Sequence, residues 1–196
     1  MPDDKYYDWF KQTHKKPIFE FPEIKALGNI QFELLTQANA VSLFGLFAND
    51  LSPFVDDRFK DLVSAQNYAR FLELCGGYQG KHGSADWLFK LDGRYVGVLH
   101  LYDLSRETVC QNNKRAWIGF ATSESFRNQG LTTRALRHYL QSIFDYYKQI
   151  DFIHAMTMPD NFAAKKLLRK TGFIIDKSER MSEIHKFYIL NRPGLS

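Results

Sequence analysis

The sequence predicts an α+β fold in which hairpin-linked strands share a sheet with strand–helix units. Two observations carry this. The runs 87–91 and 95–102 flank Asp92-Gly93. A two-residue Asp-Gly link signals a hairpin, because a type I′ turn needs φ > 0 at both central positions. Further on, the apolar run 116–122 passes through a glycine turn into a segment where Leu131, Ala135, Leu136, Leu140, Ile143 and Phe144 fall on one helical face.

In chain order, residues 1–29 read as an extension that packs onto a domain formed by residues 30–196. The extension holds an aromatic cluster (Tyr6, Tyr7, Trp9, Phe10) and two prolines, Pro17 and Pro22. Residues 30–35 read as the first strand, and 38–48 as a helix with Val41, Leu43, Phe44 and Phe47 on its apolar side. A loop over 49–59 leads to a second helix at 66–74, stopped by Gly76-Gly77. The Asp-Gly hairpin follows, then the fourth strand, the glycine turn and the long helix. Residues 152–157 read as the fifth strand. A helix opening at Asn161 ends at Gly172, and 173–177 with 184–190 form a closing hairpin.

The turn Arg127-Asn128-Gln129-Gly130-Leu131-Thr132 is the first chemical signal. A strand that enters a helix through glycine leaves backbone N–H groups converging at the positive end of the helix, which suits a phosphate. Many such turns bind nothing, so a second motif has to decide. It comes about thirty residues later, as Asn161-Phe162-Ala163-Ala164-Lys165-Lys166-Leu167-Leu168-Arg169-Lys170-Thr171-Gly172-Phe173. This stretch resembles the N-x-x-(S/A)-x-x-(V/L)-L-x-K-x-G-F signature of the GNAT acetyltransferase superfamily. The earlier R-x-x-G-x-T resembles that family's (R/Q)-x-x-G-x-(G/A) loop. The order and separation of the two also match. The resemblance covers roughly residues 30–190 and is greatest to the ribosomal-protein N-acetyltransferase branch.

The resemblance implies a mixed, mostly antiparallel central sheet of about seven strands, with the fourth and fifth splayed. It implies acetyl-CoA as cosubstrate and direct transfer of the acetyl group to a primary amine in a ternary complex. Backbone N–H groups of Asn128, Gln129, Gly130, Leu131 and Thr132 would hold the pyrophosphate, with Arg127 and either Lys165 or Lys166 along the phosphates. Phe120, Ala121 and Thr122 would pair with the pantetheine arm. A backbone N–H at Phe120 or Ala121 would receive the developing oxyanion. Asn161 would reach the pantetheine or the sulfur, or simply cap its helix.

Three positions depart from the family pattern. Thr132 replaces the usual Gly or Ala, and would either donate to a phosphate or narrow the loop. Trp117 stands where a Glu base is common, and Leu168 where a Tyr acid is common. Glu33, His100, Asp103 and Glu124 are alternative bases. An α-amino group, with pKa near ~7.7–8.0, needs less help than an ε-amine near ~10.4. The acceptor expectation therefore leans to a peptide N-terminus over an amine metabolite or antibiotic. A non-catalytic CoA-binding module of the same fold is the rival reading.

Composition excludes other classes. The formal charge of +4 is too mild for a nucleic-acid partner but suits a polyanionic ligand. No apolar run approaches the ~20 residues of a membrane span. Residues 1–16 are too polar for a secretory signal. Cys75 and Cys110 have neither close pairing nor metal spacing, and the six histidines are scattered, so no metal is assigned and a cytoplasmic location is expected. The glycines around residues 76–80 miss the P-loop spacing. Either a monomer or a homodimer fits.

Overall fold

The computed structural model describes residues 20–75, 82–105, 115–177 and 185–194. The aromatic cluster before residue 19, the glycine stop after Cys75, and Cys110 lie outside the described residues. The strands are β1 (Ile30–Leu34), β2 (His82–Leu91), β3 (Arg94–Ser105), β4 (Arg115–Thr122), β5 (Phe152–Thr157), β6 (Ile174–Ile175) and β7 (Lys186–Asn191). The helices are α1 (Ala40–Phe47), α2 (Leu62–Cys75), α3 (Leu131–Tyr146) and α4 (Phe162–Lys170). Among the described residues the strands form one sheet in the order β1-β2-β3-β4-β5-β7-β6. Only β4 and β5 run parallel; every other neighbouring pair is antiparallel.

The Asp-Gly turn forms as its chemistry requires, with φ of 49° at Asp92 and 77° at Gly93. The strands it joins are longer than the apolar runs suggested. His82-Gly83 pairs with the far end of β3, where Leu104 continues the apolar side, and a register shift between Gly83 and Ala85 absorbs the mismatch. A second shift leaves Val96 as the extra residue between Tyr95 and Gly97. Helix α2 starts four residues earlier than its apolar pattern indicated. The Asp61 carboxylate accepts from the Ser64 N–H at 2.7 Å, and the Asp61 carbonyl takes the first helical bond from Ala65.

Each face of the sheet carries its own core. On one, α3 sets Leu131, Ala135, Leu136, Tyr139 and Ile143 against Leu99, Leu101, Ala116, Ile118, Ile153 and Ala155. Residues 20–27 run along the same layer. Phe21 meets Trp87 edge-on at 6.2 Å, Ile24 is buried, and the Tyr147 hydroxyl donates to the Glu20 carbonyl at 2.6 Å. On the other face α1 and α2 bring Leu43, Phe47, Ala65, Ala69 and Leu72 onto Leu88 and Val98.

Strand alternation fixes which backbone groups of β4 point where. The Leu35 N–H donates to the Asp86 carbonyl, and the Ser123 N–H to the Val96 carbonyl. Carried through the antiparallel registers, both bonds give one answer. Trp117, Gly119 and Ala121 bond to β3, while the N–H and C=O groups of Ile118, Phe120 and Thr122 point toward β5. Pairing of β4 with β5 ends at Ile118↔Ala155. From Gly119 onward β4 has no strand partner on that side among the described residues.

Tyr139 is fully buried on α3, edge-on to Trp87 at 5.4 Å. Burial pushes its phenol pKa well above the ordinary range. Its hydroxyl has no hydrogen-bond partner among the described residues. A buried unsatisfied hydroxyl is a net cost. We therefore expect Tyr139→Phe to stabilise the protein by about 1 kcal/mol in urea denaturation; a lower midpoint would show that the hydroxyl is satisfied.

Candidate active site

The turn between β4 and α3 is open. Asn128, Gln129 and Gly130 are exposed, and both Asn128 (φ 63°) and Gly130 (φ 75°) are left-handed. Glycine is suited to that conformation, and a Cβ on Gly130 would meet nothing within 4 Å. The first intrahelical bond runs from the Arg134 N–H to the Gly130 carbonyl at 3.1 Å. The N–H groups of Leu131, Thr132 and Thr133 are therefore the free first turn of a sixteen-residue helix. No side chain caps this end. These donors lie beside the exposed residues of the turn, and nothing crowds Gly130.

The side chains of the turn are used to build it. The Thr132 hydroxyl lies 2.5 Å from that of Thr122, so it ties α3 back to the end of β4 and neither narrows the loop nor faces its open side. The Gln129 side chain donates to the Ser125 carbonyl at 3.0 Å. Arg127 donates through Nε to the Thr122 carbonyl at 3.1 Å and pairs through Nη2 with Asp50, whose side chain is only 2% exposed. In this geometry the guanidinium straps the loop to the end of α1. Asp50 carries no motif in the sequence, and its partner is 77 residues away.

The fourth strand presents its vacant edge beside this turn. Phe120 N–H and C=O point into the gap where β5 diverges. The Phe120 side chain packs toward α3, and Ala121 toward the α1–α2 layer. After β5, Asn161 opens α4 and its Oδ1 accepts from the Ala164 N–H at 3.0 Å. The cap is real, and any contact with a ligand falls to Nδ2. Lys165 donates to the Pro159 carbonyl at 2.5 Å and sits over the Phe162 ring, whereas Lys166 is exposed. Phe162, Lys165, Lys166, Arg169 and Lys170 line a wide, shallow depression on α4.

On the α1–α2 face, the region beside Gly119 is built from groups that the motifs did not mark. His100 Nδ1 lies 2.8 Å from Asp86 Oδ2, and Asp86 is 2% exposed. The Tyr68 hydroxyl donates to the same carboxylate oxygen at 2.9 Å. Burial, with Asp86 charge added, holds the Tyr68 pKa far above its usual range. Phe59 stacks on the His100 ring at 5.6 Å, and Arg58 lies over Tyr68 at 4.5 Å. Further along this face Trp117 stacks between Tyr102 and His154, with Phe187 edge-on. Burial pushes the Tyr102 pKa up to about 12. Trp117 thus fills an aromatic wall and supplies no titratable group. Leu168 is buried in the α3 layer.

The family profile described as the acetyltransferase (GNAT) family matches residues 48–173. The chain belongs to this family and is an N-acetyltransferase. No curated protein sequence matches it significantly. Among solved structures it is similar to RimL, the ribosomal L7/L12 α-N-protein acetyltransferase in complex with coenzyme A, at 17% identity and TM-score 0.67, covering 86% of this chain and 97% of that one. RimJ of Mycobacterium smegmatis with CoA-disulfide gives 20% identity and TM-score 0.67, over 85% and 83% of the two chains. Aminoglycoside acetyltransferase AAC(6')-Ib with coenzyme A gives 16% and 0.65, over 83% and 95%. At such identities the likeness establishes the fold, including its mixed seven-stranded sheet.

Removing one member of a buried ion pair leaves the other uncompensated. Arg127 is one-third exposed, which softens the effect. We expect Arg127→Ala to destabilise the protein by about 2 kcal/mol, below the ~3–5 of a fully buried pair. Adding Asp50→Asn to that variant should restore part of the loss in a double-mutant cycle. Simple additivity would show that the strap contributes nothing.

Proposed function

We propose that this acetyltransferase moves the acetyl group of acetyl-CoA directly to a primary amine, with a protein N-terminal α-amine as the preferred acceptor. One observation carries the reading: the vacant edge of β4 at Phe120 adjoins the free donors at the start of α3. A ligand with a diphosphate at one end and an amide-bearing arm at the other fits that pairing. Backbone N–H groups from Asn128 to Thr132 hold the diphosphate, and Lys166 adds charge beside it. The arm pairs by backbone with Phe120 and with the Thr122 N–H along the exposed edge, whereas the backbone of Ala121 is already bonded to β3. Asn161 Nδ2 faces it from α4.

The Phe120 N–H then serves the chemistry. As an amine attacks the thioester carbonyl, negative charge grows on the oxygen, and a fixed backbone donor in the gap stabilises it. Loss of one such donor costs roughly 10²–10³ in rate. Direct attack needs no enzyme nucleophile, only a neutral amine. With Trp117 where relatives place a carboxylate, an α-amine is the easier acceptor, because less of it is protonated near neutrality. The likeness to RimL, an α-N-protein acetyltransferase, supports the same preference; the aminoglycoside enzyme marks the other acceptor class.

Two measurements test this. Acetyl-CoA at about 1,000 times its Kd should stabilise the folded protein by roughly 4 kcal/mol. Acetylation should be faster with peptides bearing a free N-terminus than with polyamines, ε-amines or aminoglycosides. Faster turnover of the latter rejects the acceptor preference. Stabilisation without consumption of acetyl-CoA on any amine would favour a binding role.

A further inference from the structure

Four side chains are candidates to take the acceptor's proton, and their positions decide between them. Glu33 is held by Lys90 at 2.6 Å and by the Tyr95 hydroxyl at 2.9 Å, on β1, three strands from β4. Asp103 lies past Tyr102↔Trp117, the end of the β3–β4 ladder away from the gap. Glu124 is exposed on the turn beyond β4. His100 pairs directly with Gly119, the residue before Phe120.

The imidazole is also oriented. Its Nδ1 turns toward β2 and Asp86. Its opposite edge lies against β4, since a Cβ built on Gly119 would stand 3.1 Å from His100 Cδ2. One ring face is covered by Phe59. A carboxylate only accepts, so Nδ1 carries a proton, and in the neutral ring Nε2 is the nitrogen with the lone pair. Cδ2, the ring atom bonded to Nε2, is the one nearest Gly119, the residue before Phe120. A base within direct or one-water reach of the amine satisfies the geometric requirement.

We propose that His100 is the general base for acetyl transfer, with Asp86 and Tyr68 as the positioning residues that fix its tautomer. The inference rests on the acetyl-transfer reading above. His100 Nε2 accepts one proton from the acceptor ammonium. The neutral amine forms the new C–N bond at the thioester carbon, and the oxyanion sits on the Phe120 N–H. As the C–S bond breaks, the second nitrogen proton goes to the departing sulfur. The imidazolium then releases its proton to solvent. The net change is ammonium plus thioester to amide, thiol and one proton. The charged and titratable groups around the ring are Asp86 on β2, Tyr68 on α2, and the Asp56–Arg58 pair on the turn before α2.

The test uses the full chain with acetyl-CoA and the best peptide of the acceptor panel. His100→Gln should lower kcat by roughly 10²-fold or more near neutral pH while leaving stabilisation by acetyl-CoA unchanged. The deficit should shrink above about pH 9, where an α-amine is already neutral without a base. A merely structural role would not give that recovery. Small imidazoles should rescue His100→Ala. Nitrogen NMR of the ligand-free protein should show Nδ1 protonated and Nε2 bare, and Asp86→Asn should disturb that tautomer and shift the rising limb of the pH–rate profile. A His100→Gln variant that turns over within two-fold of the parent, or an Nε2–H tautomer, overturns the proposal while leaving acetyl transfer standing. A parent protein that binds acetyl-CoA and acetylates no amine overturns both.

Discussion

The site depends on one feature of the sheet, the parting of β4 from its only parallel neighbour after Ile118↔Ala155. A central strand normally has both rows of backbone groups paired, because an orphaned buried N–H is costly. Here the row at Phe120 and Thr122 is released within the sheet. Such groups need an occupant. Arg127 supplies one for the Thr122 carbonyl. In the proposed reading the Phe120 groups pair with the extended, amide-bearing arm of acetyl-CoA.

The parting also separates two jobs onto two faces. The layer of α3 and α4 holds the diphosphate turn and packs the Phe120 side chain. The layer of α1 and α2 covers the opposite face, where Gly119 and Ala121 point. In the proposed reading the amine comes from this second side. Its wall near the gap is aromatic and polar at once, with Trp117, Tyr102 and Phe187 beside the His100–Asp86 pair. Gly119 links the two. Its lack of a side chain lets an edge of the imidazole lie against β4, and even a methyl group there would press on the ring. In the proposed reading, a small residue next to the oxyanion donor keeps the base close to the reacting nitrogen.

What the sequence disclosed divides by range. Local signals were sound: Asp92-Gly93 turned as its composition demanded, and Gly130 opened α3 in the left-handed conformation. Asn161 both carried the motif and capped its helix. The boundaries that moved had competing local chemistry, such as the Asp61 cap that starts α2 early. Long-range partners were invisible. Nothing near Asp50 announces Arg127. The His100–Asp86 contact was hidden for a sharper reason. Counting back from the two-residue turn, with Leu91 opposite Arg94, would set Asp86 opposite Leu99. The extra residue at Val96 advances β3 by one position and brings His100 across from Asp86. A one-residue slip exchanges the faces of a strand, so no count that omits the bulge finds the pair.

The bulge and the strap converge on the same stretch of backbone. Val96, the residue that resets the register, accepts the bond from Ser123 that anchors the end of β4. Four residues on, Arg127 folds back onto Thr122 and reaches Asp50 at the end of α1. Thr132 closes the same corner from α3 through the Thr122 hydroxyl. The end of β4 is therefore fixed from β3, from α1 and from α3, at the point where it loses β5. A strand edge left open to receive a ligand holds its shape only if its remaining contacts over-determine it. In the proposed reading, rigid placement of the Phe120 N–H makes it effective toward charge that appears only during reaction. The side chains of Arg127 and Thr132, which the motif marked for a ligand, are used in this structure to hold that edge.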